Sequence, residues 1–194
     1  KQDLITEMAA VLAFSAISNN DKVGAILFSD RVEKFIPAAK GKEHVLFIVR
    51  QMLSADTKGS GTNIQQALRF MQQTTKHSAI TFLFSDFESQ GYEKMMKAAA
   101  VRHDCIAVQT FDQSDITLPR AALLPVQDAE TGVIHWMDTQ SQTFQQWYQA
   151  QKAKTLETTR QAIVQSGWDY LRFRTDHDYV RTLQQFFLQR IRKA

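Results

Sequence analysis

The chain has 194 residues, 44% of them hydrophobic and 22% charged, the balance of an ordinary globular protein that fits one domain with a sizeable core. Seven glycines, three prolines and this apolar content exclude collagen-like, linker-like and disordered character, and no apolar run approaches the roughly 20 residues of a membrane-spanning helix. A single cysteine, Cys105, excludes a disulfide framework and a multi-cysteine zinc site and fits the reducing cytoplasm, while the net charge is a mild +3.

Residues 3–18 are good helix formers, apolar on nearly every side, as in a largely buried helix. Asn19, Asn20 and Asp21 break it, and Val23–Phe28 follows as a near-continuous apolar run of strand length, the signature of a strand covered on both faces. Val32–Ile36 reads as a short strand stopped by Pro37, and residues 44–53 return to helical spacing. After the polar loop Ser54–Gly61, Asn63–Thr75 is an amphipathic helix with Ile64, Leu68 and Met71 on one face. The alternation repeats: strand Ala79–Phe84, helix Tyr92–His103, strand Cys105–Phe111. Strands alternating with helices of this length predict an α/β fold, a mostly parallel sheet with helices on both faces.

The texture then changes, dividing residues 1–112 from 113–194 within the one predicted domain. Residues 123–138 read as two short strands about an Asp-Ala-Glu-Thr-Gly turn. Residues 141–166 form one long helix carrying Phe144, Trp147, Tyr148, Leu156 and Ile163, with Gly167 as its stop. Trp168–Arg174 is a last strand, and residues 178–193 a last helix with Val180, Leu183, Phe187 and Ile191 facing inward. Trp136, Trp147 and Trp168 are assigned to the core. Residues 150–194 hold nine Lys and Arg against four Asp and Glu, so the basic character belongs to this end, and residues 1–149 carry −2. The terminal Arg190-Ile191-Arg192-Lys193 reads as a helix end matched to its dipole rather than as a nucleic-acid patch.

Two segments put oxygen ligands at a strand end or a helix start, where open α/β sheets bind ligands. One is Ser60-Gly61-Thr62-Asn63, whose plain reading is a helix cap; the other is Leu83-Phe84-Ser85-Asp86-Phe87, whose plain reading is a loop aspartate holding nearby amides. Together a hydroxyl and a carboxylate at one sheet edge are hard oxygen ligands suited to Mg²⁺, though two oxygens are a sparse supply for an octahedral ion. Asp176-His177-Asp178 reads as a helix start favoured by the dipole, and Cys105, opening an apolar strand, as inert core. There is no Gly-x-Ser-x-Gly elbow, no Gly-x-Gly-x-x-Gly turn and no Walker loop.

The order and spacing of several segments resemble the bacterial domain-of-unknown-function 58 family, whose conserved region is a von Willebrand factor type A-like domain. The segments are Leu12-Ala13-Phe14-Ser15-Ala16, Asn20-Asp21-Lys22-Val23-Gly24, Phe28-Ser29-Asp30, Phe35-Ile36-Pro37, Gly61-Thr62-Asn63-Ile64, Leu83-Phe84-Ser85-Asp86-Phe87 and Asp128-Ala129-Glu130-Thr131-Gly132. The resemblance implies a three-layer, Rossmann-like doubly wound sheet with a metal-ion-dependent adhesion site. It implies Thr62 and Asp86 as ligands of Mg²⁺ or Mn²⁺, and a partner-facing edge that includes Asp30, Ser60, Asn63 and Glu88. Asn63 stands where the family often has an acid, and the family's Asp-x-Ser-x-Ser strand end is absent. The chain as given is therefore expected to begin just past a first central strand, to bind Mg²⁺ weakly or not at all, and to leave residues 23–28 and 79–84 without a shared neighbour.

The function this implies is non-enzymatic: a metal-dependent protein-interaction module, acting with a MoxR-type AAA+ ATPase in the assembly or maturation of another protein. Two rivals stand beside it. One is a metal-assisted hydrolase using Asp30, Asp86 and Asp112, all at strand ends, with His103 at the far end of its strand. The other is a metal-independent scaffold.

Overall fold

Helical and strand-like apolar runs alternate along the chain, and the computed structural model, which describes residues 1–55, 61–112, 115, 117, 124–127, 134–175 and 179–191, realises them in that order. The elements are α1 (Gln2–Ser18), β1 (Val23–Phe28), β2 (Val32–Ala39), α2 (Lys42–Leu53), α3 (Ile64–Thr74), β3 (Ile80–Ser85), α4 (Glu93–Ala100) and β4 (Asp104–Phe111). They continue with β5 (Leu124–Gln127), β6 (Ile134–Met137), α5 (Gln142–Gln165), β7 (Asp169–Arg174) and α6 (Tyr179–Ile191).

The organising unit is a three-stranded parallel sheet in the order β3-β4-β7. β4 lies in the middle, and seven of its eight residues are buried. Its side chains alternate between two cores, as strand geometry requires. Cys105 and Ala107 join Leu83 of β3 and residues of α3, α4 and α5, including Leu68, Met96 and Ile163. Ile106 and Val108 face the other way, with Leu171 and Phe173 of β7, Leu4 and Met8 of α1, and Leu183 of α6. Helices therefore flank the sheet on both faces.

The remaining described strands form two antiparallel ribbons, β1-β2 and β5-β6. Among the described residues β1 pairs with β2 and not with β3. Its burial is also less than its apolar run predicts: Val23–Phe28 is half-buried, with Ile26 and Phe28 packed on the first core. An apolar run measures what a strand is able to bury, not how many neighbours it finds.

Other departures have local causes. Pro37 does not end β2, which continues to Ala39. Val23 faces Ala39 and Ala25 faces Ile36, so β2 carries one extra residue, a bulge, where a residue without an N–H is tolerated. Gly24 lies opposite it; a Cβ there would stand 2.9 Å from the Ala38 nitrogen and the Ile36 oxygen. α1 is half-exposed rather than largely buried, because the sheet and α2 cover only part of its surface and leave Val11 in solvent. α4 ends at Ala100, three residues short of His103.

α5 stops as the sequence indicates, with Gly167 at φ +82°. Trp168 is core, its indole N–H donating to the Met96 carbonyl at 2.8 Å, but Trp136 and Trp147 are 66% and 55% exposed, against the expectation that both are buried. In α6, Leu183 is buried while Val180 is 43% exposed; the inward stripe runs through Tyr179, Leu183, Phe186 and Phe187. The side chain of Ile191, the turn 128–132 and residues 176–178, 192 and 193 lie outside the described residues. Among the described residues no helix is long and apolar enough to cross a membrane.

Candidate functional site

Phe28, Ile64, Leu83 and Phe87 pack in one core, and the polar residues that follow or precede them in sequence form two neighbouring groups. The first lies between the end of β1 and the start of α3. Ser29 is buried; its hydroxyl stands 3.0 Å from Asp30 Oδ1 and 2.7 Å from Glu33 Oε1, and its carbonyl accepts from the Asn63 N–H at 2.7 Å. Arg31 Nε lies 3.4 Å from Glu33 Oε1. A Cβ on Gly61 would come within 3.9 Å of Asp30 Cβ, so the loop before α3 runs beside that aspartate. Asn63 caps α3, its Oδ1 accepting from the Gln66 N–H at 2.9 Å, the plain reading of this segment. Asp30, Thr62 and Asn63 are exposed, and Ser60 lies outside the described residues.

The second group follows β3 and β4. Asp86 is half-buried; its Oδ1 accepts from the Glu88 N–H at 3.3 Å and lies 3.3 Å from the Ser85 hydroxyl oxygen. The next residue, Phe87, has φ +59°, a left-handed conformation disfavoured for a bulky side chain, yet its ring is only 4% exposed and meets Tyr92 edge-on at 5.9 Å. The turn is held because Ser85 Oγ accepts from the Phe87 N–H at 3.1 Å and Gln109 Nε2 donates to the Asp86 carbonyl at 2.7 Å. Glu88 is exposed, 3.9 Å from Lys152 Nζ on α5.

Beyond β4, Asp112 accepts from the Thr175 hydroxyl, and its N–H donates to Asp115 Oδ2 at 2.8 Å. Lys1 Nζ stands 2.5 Å from Asp115 and 3.9 Å from Asp112. Burial opposes the charge on Lys1, but the hydrogen bond to Asp115 and the fields of Asp115, Asp112 and Asp86 outweigh it and raise its pKa. For Asp115 burial likewise acts upward and is outweighed by Lys1, the Asp112 N–H and Lys152, so its carboxyl titrates below its ordinary value. An ammonium therefore already sits in the field of two strand-end acids, Asp86 and Asp112, and of Asp115 beyond them.

As a metal site the described donors are few. Thr62 and Asp86 offer one hydroxyl and one carboxylate, and among the described residues no three His, Cys, Asp or Glu side chains converge as a metal-holding group, which includes Asp30, Asp86 and Asp112. His103 stands at the opposite end of β4 and His44 lies against the Val23 carbonyl at 2.9 Å. Cys105 is buried, with its thiol pushed up to about 12 by burial and by Asp104, so it is not a nucleophile. Sequence reasoning missed Lys1, Asp115, Gln109 and Tyr170. Gln109 alone left a signal: a long amide inside the apolar run Cys105–Phe111 needs partners once buried.

Residues 1–158 match the family described as "Protein of unknown function DUF58". Uncharacterized proteins of Mycobacterium bovis and Mycobacterium tuberculosis are each 24% identical over 197 residues. The match takes in 100% of this chain, which spans only 62% of the length of those relatives. An uncharacterized protein of Mycobacterium avium is 25% identical over 162 residues, 82% of this chain and 95% of its own. In fold, the chain is similar to the crystal structure of the conserved hypothetical protein BatB from Bacteroides thetaiotaomicron, at a TM-score of 0.54 and 15% identity, over 97% of this chain and 89% of that one.

Proposed function

The chain belongs to the DUF58 family of proteins of unknown function, and from that premise we propose that its strand-end loops form a metal-dependent protein-interaction face rather than a catalytic centre. Asp86 and Thr62 are the residues that would take part in holding Mg²⁺ or Mn²⁺; bound there, the ion supplies a positive charge that an acidic side chain of a partner completes. Two hard oxygens suit such an ion in kind and fall short in number, so residues 1–194 alone are expected to hold it weakly or not at all. Asp30, Asn63 and Glu88, all exposed, form the surrounding contact surface, with Ser60 beside them in sequence.

The finer architecture belongs to the same reading: a von Willebrand factor A-like three-layer sheet in a cytoplasmic protein, partnered by a MoxR-type AAA+ ATPase in assembling or maturing another protein. The observation that carries the proposal is the turn at Asp86. A bulky left-handed residue directly after a strand-end acid is held by side chains from two strands, and such over-determined strain accumulates at functional sites. The test is capture of a MoxR-type ATPase by the full-length protein. Capture that needs Mg²⁺ and is lost in Asp86→Ala supports the proposal. Capture indifferent to both favours a metal-independent scaffold, and Asp86-dependent turnover of phosphoesters favours a hydrolase.

A further inference from the structure

Gln109 is 4% exposed in the central strand, and both ends of its amide are engaged. Its Nε2 donates to the Asp86 carbonyl at 2.7 Å, and its Oε1 accepts from the Tyr170 hydroxyl at 2.5 Å. The orientation follows from the chemistry of the partners. A carbonyl oxygen only accepts, so the amide NH₂ must face Asp86, which leaves the amide oxygen for a donor, the phenol. Burial raises the Tyr170 pKa and keeps it protonated for that role. Ser85 is paired with Gln109 and Ala107 with Tyr170, so the chain of bonds runs from β7 through β4 to the peptide that leaves β3. That peptide, between Asp86 and Phe87, is gripped at both ends: its carbonyl by Gln109 and its N–H by Ser85 Oγ.

We infer that Gln109, supported by Tyr170, is the positioning residue for Asp86: it fixes the plane of the Asp86–Phe87 peptide and so the direction in which the carboxylate leaves the sheet. The inference takes its functional meaning from the reading of Asp86 proposed above, but its geometry stands independently. It makes Gln109→Glu a pH-dependent lesion. Ionised, the new side chain places a carboxylate oxygen against the Asp86 carbonyl where a donor belongs. Protonated, it becomes an acid O–H that donates to the same carbonyl. Burial and the facing carbonyl oxygen both raise a carboxyl pKa, bringing the change within reach of ordinary buffers.

The test is amide hydrogen exchange on residues 1–194, comparing the protection of Phe87 and Glu88 with that of Ile106 and Val108 in the same sheet. At about pH 8, Gln109→Glu is expected to lower protection at Phe87 and Glu88 roughly tenfold, the order for one lost buried hydrogen bond, with Ile106 and Val108 unchanged. Towards about pH 5 protection returns as the acid protonates. Tyr170→Phe gives a smaller loss without recovery, and it carries the test if Gln109→Glu does not fold. Unchanged protection at Phe87 and Glu88 in both variants, or an equal loss at Ile106 and Val108, overturns the inference. Because residues 1–194 alone are expected to hold the ion weakly or not at all, Mn²⁺ is added to the full-length wild type, and this arm separates the two ideas. Absence of paramagnetic broadening at Phe87 and Glu88 counts against the metal reading and leaves the positioning result as it is. Broadening that weakens in Tyr170→Phe supports both.

Discussion

At the N-terminal end of the sheet, Asp104 of β4 and Asp169 of β7 share the Arg190 guanidinium at 2.5 and 3.2 Å. At the C-terminal end, Asp112 and Asp115 share the ammonium of Lys1, while Asp86 is directed to a backbone N–H. Both ends thus bring acids and a base together, but they use them differently. Arg190 closes the N-terminal end as a half-exposed ion pair over ordinary backbone. At the C-terminal end Ser85, Asp86 and Gln109 hold a peptide in a conformation a phenylalanine does not adopt unaided. The contrast separates charge used for closure from hydrogen bonds used for placement, and only placement singles out a candidate site.

The strongest way to break this contrast is at Phe87. Phe87→Ala removes a buried ring and is expected to cost about 3–5 kcal/mol in urea unfolding. Phe87→Gly removes the same ring but relaxes the left-handed backbone, so it should be less damaging than alanine by about 1 kcal/mol. The reverse order would remove the strain from the C-terminal end and with it the difference between the two ends.

The N-terminal end has its own exception. His103 is 5% exposed, and among the described residues neither ring nitrogen has a hydrogen-bond partner. Burial first, and Arg102 second, lower its pKa below the usual 6.5. The unfolded chain therefore binds this proton at a higher pH than the folded one. Stability is full above about pH 6.5 and falls as the pH drops towards the lowered folded value, by at most about 1.4 kcal/mol per pH unit. Asp115 acts in a separate window, since its folded pKa lies below 3.8. Urea titrations between about pH 7.5 and 5 should show the slope in the wild type and a flatter profile in His103→Leu. Equal slopes would mean that the buried ring is not what makes this end acid-sensitive.

The smallest effect sharpens the idea of closure by charge. Arg190→Ala breaks two half-exposed ion pairs and a stacking contact on Phe186, and should cost about 1 kcal/mol or less at low salt. The loss should shrink in about 1 M NaCl, where exposed pairs are screened. A loss that ignores salt would place its origin in packing of the arginine stem.

Much of this architecture is legible from local pattern. The apolar runs at 23–28, 79–84 and 105–111, the amphipathic spacing of Ile64, Leu68 and Met71, the two short strands within 123–138 and the stop at Gly167 are short-range signals, and the described residues bear out each of them. The strand-end position of Asp86 and the cap at Asn63 are legible for the same reason. What misleads is exposure. Val180, Trp136 and Trp147 carry core-like side chains yet are 43%, 66% and 55% exposed, and Pro37 sits inside a strand because a bulge receives it.

The sequence by itself thus determined which segments become helix or strand and which acids stand at strand ends, since periodicity and turn chemistry act within a few residues. Only the tertiary structure decided which acids meet a cation, which aromatics are covered, and that Gln109 reaches from β4 to Asp86 on one side and Tyr170 on the other. Those contacts join residues 23, 61 and 114 positions apart. They depend on strand order and register, which no local pattern encodes.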